Sequence, residues 1–384
     1  MSKKDNLGNV LIRSDLNVPT VNGKISDDYR IYKSLENVNN ILERSKTITF
    51  ASHMGRPKGK DLNLSLKPVA EIMEEIIGIG VHFINEIYGG EVERQVKNTD
   101  KKIFLLENLR FDQGEINNDK DFSKKVTNPF NTYIFDAFGA AHRPHASVVS
   151  FGNNLEAYQG PLMDKELREL NKLLNNNKVG YAVLLGGAKI SDKLNLIEKI
   201  LPKVEYLMVG GGMCFTFLKA LGYEIGKSLL EESFIPKANE LLNSKYGKKI
   251  ILPLDFGVTD SIESTNRKNI NLDEIKSNDI GIDIGPETVK KFTQILISSQ
   301  NIFWNGPMGV FEKEEFSFGT KEITQTISKS SAYTCIGGGD SVSAINKFSD
   351  KKHFNHISTG GGASLEYLEG KNLPGVNKYK TLII

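Results

Sequence analysis

Cysteine and long apolar runs are scarce in this chain of 384 residues. Its two cysteines, Cys214 and Cys335, lie in apolar runs beside glycines, which favours buried thiols in a reducing compartment over a disulfide framework. No stretch reaches the ~18 apolar residues of a membrane span, and the N-terminal MSKKDNLGNV lacks the apolar core of a signal peptide. These absences predict a cytoplasmic protein without a membrane partner.

A charge excess of either sign is also missing. The 49 lysines and arginines and the 47 aspartates and glutamates leave a formal charge of +2, so general binding to nucleic acid or another polyanion is not expected. Hydrophobic residues make up 39% of the chain, which is sufficient for packed cores. The length is more than twice the ~150 residues typical of one domain, and it predicts two domains.

Standard metal and nucleotide signatures are absent as well. The six histidines and two cysteines show neither C-x2-C nor HExxH spacing, so a zinc site is not expected. The segment GYEIGKS has three residues between its glycines where a P-loop needs four, and no GxGxxG occurs. The sequence therefore disfavours a P-loop NTPase and a Rossmann dehydrogenase.

Short β-branched or aromatic runs alternate with stretches of helical periodicity such as Leu66–Ile77. This alternation is typical of parallel strands joined by crossover helices. The expected strands are Val10–Ile12, Thr47–Ala51, Ile103–Leu106 and Tyr133–Phe135 in the first half, and Tyr181–Leu185, Tyr206–Val209, Ile250–Pro253, Ile302–Trp304, Tyr333–Ile336 and His356–Ile357 in the second. We expect an α/β protein with two doubly wound, Rossmann-like parallel-sheet domains.

A Gly-Pro break at Gly160 and Pro161 leads into the charged helical stretch Met163–Leu174, and we expect the hinge between the two domains there. Residues 1–158 form the N-terminal domain of this prediction, and residues 159–365 form the C-terminal domain. The segment 366–384 contains a Pro-Gly turn and ends apolar, so it is expected to dock back onto the N-terminal domain.

The expected strands of the two halves run into different residues. First-half strands are followed by SDLN, SHMGR, ENLR and DAFGAAHR, and second-half strands by GGAK, GGGM, NGPMG, GGGD and TGGG. Ligands of open α/β sheets bind outside the carboxyl ends of the strands. Arginine and histidine suit a small polyanion, whereas bare backbone amides suit a phosphate chain. The first half is therefore expected to bind an acid and the second a nucleotide.

In the first half, strand alternation places Arg13, Asp15 and Asn17 on one face, although a solvated edge strand would give the same pattern. Arg30 is a further partner for negative charge. Arginines also follow the later strands, at Arg56, Arg110 and Arg143, and His53 precedes the first of these. Each alone has an ordinary structural explanation, but their convergence favours bidentate binding of a carboxylate or phosphate.

In the second half, Lys189 and Lys193 are four residues apart, which predicts that the two side chains lie on the same face of a helix. A phosphate between them would reverse their repulsion, and two solvated lysines are the alternative. The segment GGGDS precedes a helical stretch, so its amides and the oxygens of Asp340 and Ser341 suit phosphate and Mg²⁺, unless Asp340 only caps the helix. Asn305–Glu312 has little bulk and suits a base or ribose, or is simply a turn.

Nine ordered segments, from RSDLNVP, SHMGRP, LLENLRF and DAFGAAHR through LGGAKISDK, GGGMCFTF, WNGPMGVFE and GGGDS to STGGGASLEYLEGKNLPGV, resemble the phosphoglycerate kinase family over essentially the whole chain. The resemblance implies reversible phosphoryl transfer from 1,3-bisphosphoglycerate to Mg-ADP, giving 3-phosphoglycerate and ATP, with hinge closure and in-line transfer. It implies small-molecule partners and a monomer. Alternatives are another kinase that forms acyl phosphates and a non-catalytic two-lobed acid-binding protein.

The resemblance also implies roles for individual residues. Acid binding is implied for Asp15, Asn17, Arg30, His53, Arg56, Arg110 and Arg143. Nucleotide binding is implied for Gly187, Lys193, Gly211, Gly212, Gly281, Asn305, Pro307, Gly309, Val310, Glu312, Gly338, Gly339, Asp340 and Ser341, with Asp340 as the Mg²⁺ ligand. Catalytic roles are implied for Arg30, Lys189, Lys193, Gly361 and Gly362.

Several positions depart from the usual family pattern, namely Ser14, Phe135, Ala140 and Pro144. None of them removes a charged ligand. Pro144 restricts the backbone beside Arg143, and Pro161 at the expected hinge bears on closure. The implied nucleophile in the ATP-consuming direction is a carboxylate with a pKa of ~4, so no general base is expected and His53 receives no acid-base role.

Overall fold

The computed structural model describes residues 6–21, 23–97, 99–174 and 180–383. These residues form two compact units. Unit 1 contains the described residues up to Arg168 together with those from Asn372 on, and unit 2 contains the described residues of Glu169–Lys371. The division after Arg168 lies inside the helix that follows the expected hinge, since that helix runs Pro161–Leu174.

The described residues contain eighteen strands, numbered in chain order. They are β1 Gly8–Ser14, β2 Thr20–Val21, β3 Lys24–Ile25, β4 Ser45–Ala51, β5 Val81–Ile84, β6 Ile103–Leu106, β7 Thr132–Asp136, β8 Glu156–Gln159, β9 Tyr181–Leu185, β10 Tyr206–Val209, β11 Ile250–Ile251, β12 Asp255–Thr259, β13 Lys268–Asn271, β14 Ile280–Ile284, β15 Asn301–Asn305, β16 Tyr333–Gly337, β17 His356–Ile357 and β18 Lys380–Thr381.

Fifteen α-helices lie between these strands in the described parts of the chain. They are α1 Tyr29–Leu35, α2 Val38–Leu42, α3 Lys67–Ile77, α4 Gly90–Lys97, α5 Gln113–Ile116, α6 Lys120–Thr127, α7 Ala146–Val149, α8 Pro161–Leu174, α9 Leu194–Ile200, α10 Cys214–Ala220, α11 Ile235–Asn243, α12 Pro286–Ser298, α13 Phe318–Ser328, α14 Gly339–Phe348 and α15 Gly362–Leu368.

Unit 1 is built on a seven-stranded sheet in the order β18-β8-β7-β1-β4-β6-β5. Every pair in this sheet is parallel. Helices α1 and α3 contribute Leu35 and Met73 to the hydrophobic cluster that contains Phe50 of the sheet. Burial on both faces explains why central strands such as Ile103–Leu106 are continuous apolar runs.

Unit 2 contains a six-stranded parallel sheet in the order β11-β10-β9-β15-β16-β17. All five residues of β9 are buried, and Trp304 of the neighbouring β15 is fully buried as well. The α/β fold with two parallel sheets, each flanked by helices, is therefore confirmed. Both cysteines are buried and free, as the sequence predicted.

Unit 2 contains a second sheet that was not predicted from the sequence. Strands β12, β13 and β14 form an antiparallel sheet in the order β13-β12-β14. Its sequences DFGVT, KNIN and IGIDI combine polar residues with glycine, so they lack the apolar runs that indicated the other strands. The short β5 and β8 of unit 1 were also missed, and the expected strand Ile250–Pro253 ends at Ile251.

The C-terminal residues from Asn372 on belong to unit 1 and close one edge of its sheet. Lys380 and Thr381 pair with Tyr158 and Gln159. Upstream, Gly375 lies against the ring of Phe135, because a Cβ added to this glycine would be 2.7 Å from the ring. The fully buried Phe135, one of the departures from the family pattern, thus supports the C-terminal segment from within the sheet.

We expect Phe135→Ala to lower the free energy of unfolding by about 3–5 kcal/mol, because it leaves a cavity under the C-terminal segment. Urea titration followed by circular dichroism measures the loss. The matched control is Leu62→Ala in the same unit, since the Leu62 side chain is 70% exposed. A loss below about 1 kcal/mol for Phe135→Ala would show that the segment is held by its strand pairing alone.

Candidate functional site

The charged segments of unit 1 follow strands that are neighbours in the sheet. β7, β1, β4 and β6 are adjacent and parallel. Their carboxyl ends therefore lie along one edge, and the predicted acid-binding segments begin there. Asp15, His53 and Arg110 are buried at this edge, Asn17 and Arg30 are partly exposed, and Arg56 and Arg143 are exposed.

A chain of hydrogen bonds joins the loops after β1, β4 and β6. Arg30 Nη1 lies 3.5 Å from Asp15 Oδ2 and donates to the carbonyl oxygen of Asn17 at 2.9 Å. Asn17 Oδ1 accepts a hydrogen bond from the Gly55 amide, and Arg110 Nη1 donates to the carbonyl oxygen of Gly55 at 2.7 Å. Gly55 has a φ of +62°, which explains why glycine stands between the two side chains.

Arg13 and His53 form a buried pair at the centre of this edge. Arg13 is 1% exposed, and its Nη2 lies 3.0 Å from Nδ1 of His53. Burial, followed by the positive charges of Arg13 and Arg110, lowers the pKa of His53 well below its ordinary value. Since arginine has no acceptor, Arg13 donates and His53 accepts through Nδ1.

The same positive field acts on neighbouring groups. Burial and the charge of Arg13 lower the pKa of Arg110 to about 10, and burial and the charge of Arg110 lower the pKa of His145 to about 4. Arg143 lies in the turn after β7, where its backbone amide donates to the carbonyl oxygen of Ala140 at 3.0 Å. The edge is therefore a strongly positive surface suited to an anion.

In unit 2, a pocket forms at the carboxyl edge of the parallel sheet and the adjoining antiparallel sheet. Of the predicted nucleotide residues, Gly187, Gly211, Gly212, Gly281, Pro307, Gly309, Val310, Glu312 and Asp340 line it. The lining also contains Ala188 and Met308, which lie in segments that the sequence indicated but were not themselves assigned a role. It further contains residues that the sequence did not indicate, namely Phe215, Leu229, Phe256, Ile282 and Asp283. Three of them are contributed by β12 and β14, the strands that were missed.

Glycine is required in this pocket where segments approach closely. Gly211 has a φ of +65°, and a Cβ there would be 2.6 Å from the backbone of Gly187. A Cβ on Gly281 would be 2.1 Å from the ring of Phe215. The amides of Gly187 and Gly211 donate to the carbonyl oxygens of Pro307 and Met308 at 3.0 and 2.9 Å. The pocket wall is thus made largely of backbone.

The prediction that Lys189 and Lys193 share a helix face is wrong. Helix α9 begins at Leu194, so both lysines lie in the loop before it. Lys189 is exposed, whereas Lys193 is buried and its Nζ donates to Oδ1 of Asn305. Burial lowers the pKa of Lys193 to about 8. Ile190, between the two lysines, is fully buried.

Asn305 has a donor that the described residues leave unused. Its Nδ2 is buried without a hydrogen-bond partner among them. A Cβ on Gly338 would be 2.9 Å from this nitrogen, so the amide faces the GGGD segment. An unpaired buried donor beside a buried ammonium is the kind of site that an anion completes.

Asp340 and Ser341 lie in the first turn of α14, as predicted, but they differ in exposure. Asp340 is exposed, lines the pocket and makes no side-chain hydrogen bond or ion pair with the described residues. Ser341 is fully buried, does not line the pocket, and its Oγ accepts a hydrogen bond from the Gly306 amide at 2.7 Å. Asp340 can therefore hold a metal ion, whereas Ser341 supports the loop after β15.

The remaining predicted residues lie at the same edge. Gly361, with a φ of +53°, and Gly362 follow β17, next to β16 in the sheet. Gly338 has a φ of +89° and precedes α14, which begins at Gly339. The carboxylate of Glu312 accepts a hydrogen bond from the Phe311 amide at 3.0 Å.

Comparison with known proteins decides the family. The model of the family described as phosphoglycerate kinase matches residues 5–371. Curated relatives named phosphoglycerate kinase include those of Rubrobacter xylanophilus, 42% identical, Thermosipho africanus, 44% identical, and Salinispora tropica, 45% identical; each alignment spans 96% of this chain and 94% of the relative. The chain belongs to the phosphoglycerate kinase family.

Solved structures of phosphoglycerate kinases have the same fold. The structure from Coxiella burnetii has a TM-score of 0.85 at 37% identity and covers 97% of this chain and 96% of its own. The structure from Pyrococcus horikoshii has a TM-score of 0.85 at 30% identity, with coverages of 97% and 95%. As a phosphoglycerate kinase, the chain is an ATP-dependent phosphotransferase that acts on the carboxyl group of phosphoglycerate.

Two negative observations concern the described residues. No helix among them is long and apolar enough to span a membrane. They also contain no cluster of three or more histidine, cysteine, aspartate or glutamate side chains able to hold a metal ion. A metal ion that a single carboxylate and nucleotide phosphates bind together does not need such a cluster.

The burial of Lys193 predicts how nucleotide affinity depends on pH. Bound phosphates favour the charged ammonium, so the affinity for Mg-ADP is constant while free Lys193 is protonated and falls as the pH rises above about 8. Titration calorimetry between pH 7 and 9.5 measures this fall, which reaches up to about tenfold per pH unit.

Lys193→Arg is the matched control, because its charge persists over this range. Its Mg-ADP affinity should depend much less on pH than that of the wild type. Parallel profiles for the two proteins would exclude Lys193 as the titrating group.

Proposed function

We propose that the carboxyl edge of the unit 1 sheet binds 3-phosphoglycerate, that the unit 2 pocket binds Mg-ATP or Mg-ADP, and that the phosphoryl group is transferred in line without a general base. The observation that carries this assignment is the contrast between the two edges. One is built from buried and exposed cationic side chains, and the other largely from glycine backbone, with the buried Lys193 beside Gly187.

The acid is held in this proposal by Asp15, Asn17, Arg30, His53, Arg56, Arg110 and Arg143. Exposed Arg56 and Arg143 are available for the outer anionic groups of the acid, since neither is buried in an ion pair. The buried Arg110 is fixed by its hydrogen bond to Gly55, and Arg30 is fixed by Asp15 and Asn17. Fixed guanidinium groups lose little entropy when they bind an anion, which favours affinity and orientation.

The nucleotide base and ribose occupy the pocket between Gly211, Gly281 and Gly309, next to Val310 and Glu312. The phosphates lie toward Lys193, whose ammonium and the unused Nδ2 of Asn305 both require an anionic or acceptor partner. Amides of Gly338 and Gly339 at the start of α14 add donors for the phosphate chain.

Asp340 is the residue that would hold Mg²⁺. Its exposed carboxylate at the pocket edge has no partner among the described residues, and Mg²⁺ is commonly bound by one or two carboxylates together with substrate phosphates. When bound, the ion neutralises phosphate charge and orients the phosphates. Lys189, Gly361 and Gly362 lie at the same sheet edge and are assigned to charge neutralisation and backbone donation during transfer.

The chain needs no proton acceptor in the ATP-consuming direction, because the attacking carboxylate has a pKa of ~4 and is already ionised. The low pKa of His53 agrees with this, since a neutral histidine that remains neutral moves no proton. Catalysis then consists of positioning and charge stabilisation, with water excluded from the reacting phosphoryl group by closure of the two units. We assign the protein to the cytoplasm and propose that it is a monomer. Light scattering tests the oligomeric state.

The direct test is consumption of 3-phosphoglycerate that depends on ATP and Mg²⁺, coupled to reduction of the acyl phosphate by a dehydrogenase. Acetate and aspartate serve as control acids. Activity confined to 3-phosphoglycerate supports the proposal. Activity with the control acids instead would show that the acid pocket is specific for a different acid. Mg-ADP binding without any activity would show that acid binding in unit 1, or closure of the two units, is defective.

We expect Arg30→Ala to lower kcat by about 10²–10³-fold while the Kd for Mg-ADP changes less than about threefold, because this charge matters most as the phosphoryl group transfers. Stopped-flow kinetics measures kcat, and titration calorimetry measures the Kd for Mg-ADP. Lys33→Ala is the matched control, since it removes a cation from the same helix. Equal losses in turnover and nucleotide affinity would refute the role of Arg30.

A further inference from the structure

The buried guanidinium of Arg13 lacks a direct counterion. Among the described residues no carboxylate forms an ion pair with it, although the group is fully buried. Its three hydrogen bonds go to Ser147 Oγ at 2.9 Å, to the carbonyl oxygen of Ser14 and to Nδ1 of His53. An isolated charge in such a place is costly unless another group compensates it.

The compensating charge is Glu115, and it acts through a serine. Glu115 lies in α5, is 0% exposed, and accepts hydrogen bonds from the Ser147 hydroxyl at 2.6 Å and the Ser147 amide at 2.9 Å. His145 Nδ1 lies 3.8 Å from the same carboxylate, and its low pKa leaves it uncharged. The negative charge of Glu115 is thus directed to Ser147 and, through the hydroxyl, to Arg13.

The direction of every hydrogen bond in this chain is determined. A carboxylate only accepts, so the Ser147 hydroxyl donates to Glu115 and its lone pairs face Nε of Arg13. Arginine only donates, so Nδ1 of His53 accepts and the proton of the neutral imidazole is on Nε2. Among the described residues Nε2 has no hydrogen-bond partner, which leaves it as a donor for a ligand.

We propose that Glu115 is a positioning residue for the kinase reaction: through Ser147 it holds the Arg13 guanidinium against Nδ1 of His53, and this contact keeps His53 in the tautomer that donates from Nε2 to an anionic oxygen of the acid substrate. This rests on the proposed role of His53 in acid binding. The opposite tautomer would present a lone pair to the anion and repel it. Loss of one charge-assisted hydrogen bond corresponds to about a tenfold or larger loss in affinity.

Glu115→Gln tests the proposal with almost no change in shape. In one orientation the new amide nitrogen faces the Ser147 amide, and two donors oppose each other; in the other it donates to the Ser147 hydroxyl, which then accepts from it and from Nε of Arg13. Both orientations remove the negative charge that compensates Arg13. Ser147→Ala is the second variant, because it keeps the carboxylate and removes only the hydroxyl that links it to Arg13. Glu91→Gln is the matched control, since it removes the same charge from the surface of unit 1.

Two readouts distinguish positioning from a general structural effect. Histidine-selective ¹⁵N NMR reports the protonation of each ring nitrogen, with the His53 signals identified by their loss in His53→Gln. Steady-state kinetics reports KM for 3-phosphoglycerate and for ATP separately. Thermal unfolding of each variant shows whether it is folded, and Ser147→Ala decides the question if Glu115→Gln is not.

We expect wild-type His53 to show a protonated Nε2 and an unprotonated Nδ1 that do not titrate between pH 6 and 8. Both variants should shift these signals toward mixed tautomers and raise KM for 3-phosphoglycerate about tenfold or more, with KM for ATP and kcat changed less than about threefold. Unchanged His53 signals in the folded variants would overturn the proposal, as would an equal rise of KM for both substrates.

His53→Gln separates this proposal from the proposed function. If His53→Gln leaves KM for 3-phosphoglycerate unchanged, His53 does not bind the acid and the assignment of the acid site fails. The NMR spectra of Glu115→Gln and Ser147→Ala then still decide whether Glu115 sets the tautomer of His53.

Discussion

Burial of parallel strands on both faces is the constraint on which both sites depend. A charged side chain in the middle of β6 or β9 would be desolvated without a partner, so polar residues concentrate where those strands end. Because parallel strands end at one edge, residues far apart in the chain meet there. Asp15, His53 and Arg110 converge for this reason, although each lies in a different loop.

In the proposed function both edges bind an anion, but they do so with different groups. Unit 1 uses guanidinium side chains that have internal partners: Asp15 pairs with the partly exposed Arg30, and Glu115 compensates the buried Arg13 through Ser147. Unit 2 uses backbone amides, which carry no net charge and need no counterion. Among the described residues of unit 2, Lys193 is the one buried lysine or arginine; it donates to the neutral Asn305, and burial lowers its pKa to about 8.

The parallel strands and their end segments could be predicted because apolar runs and polar strand ends are local features. The antiparallel sheet could not, since β13 is exposed and polar and β12 begins with a buried aspartate that caps α12. Because the antiparallel sheet was not predicted, pocket residues on it such as Phe256 were not predicted either. The spacing of Lys189 and Lys193 was read as one helix face, whereas both lie in the loop before α9. Glu115 gave no signal, because its partner Ser147 is distant in sequence and the need for a counterion arises only after folding.

The neutrality of His53 fits the division between binding and catalysis. A charged imidazole would attract the acid equally in the ground state and in the transition state, and uniform binding does not raise kcat. In the proposed acid site, His53 held as an uncharged donor would orient the acid without adding to the positive field of Arg13 and Arg110, which already disfavours a further charge. The cations that act on the transferring phosphoryl group can then be the less buried ones, Arg30 and Lys189, whose charge is needed only as transfer begins.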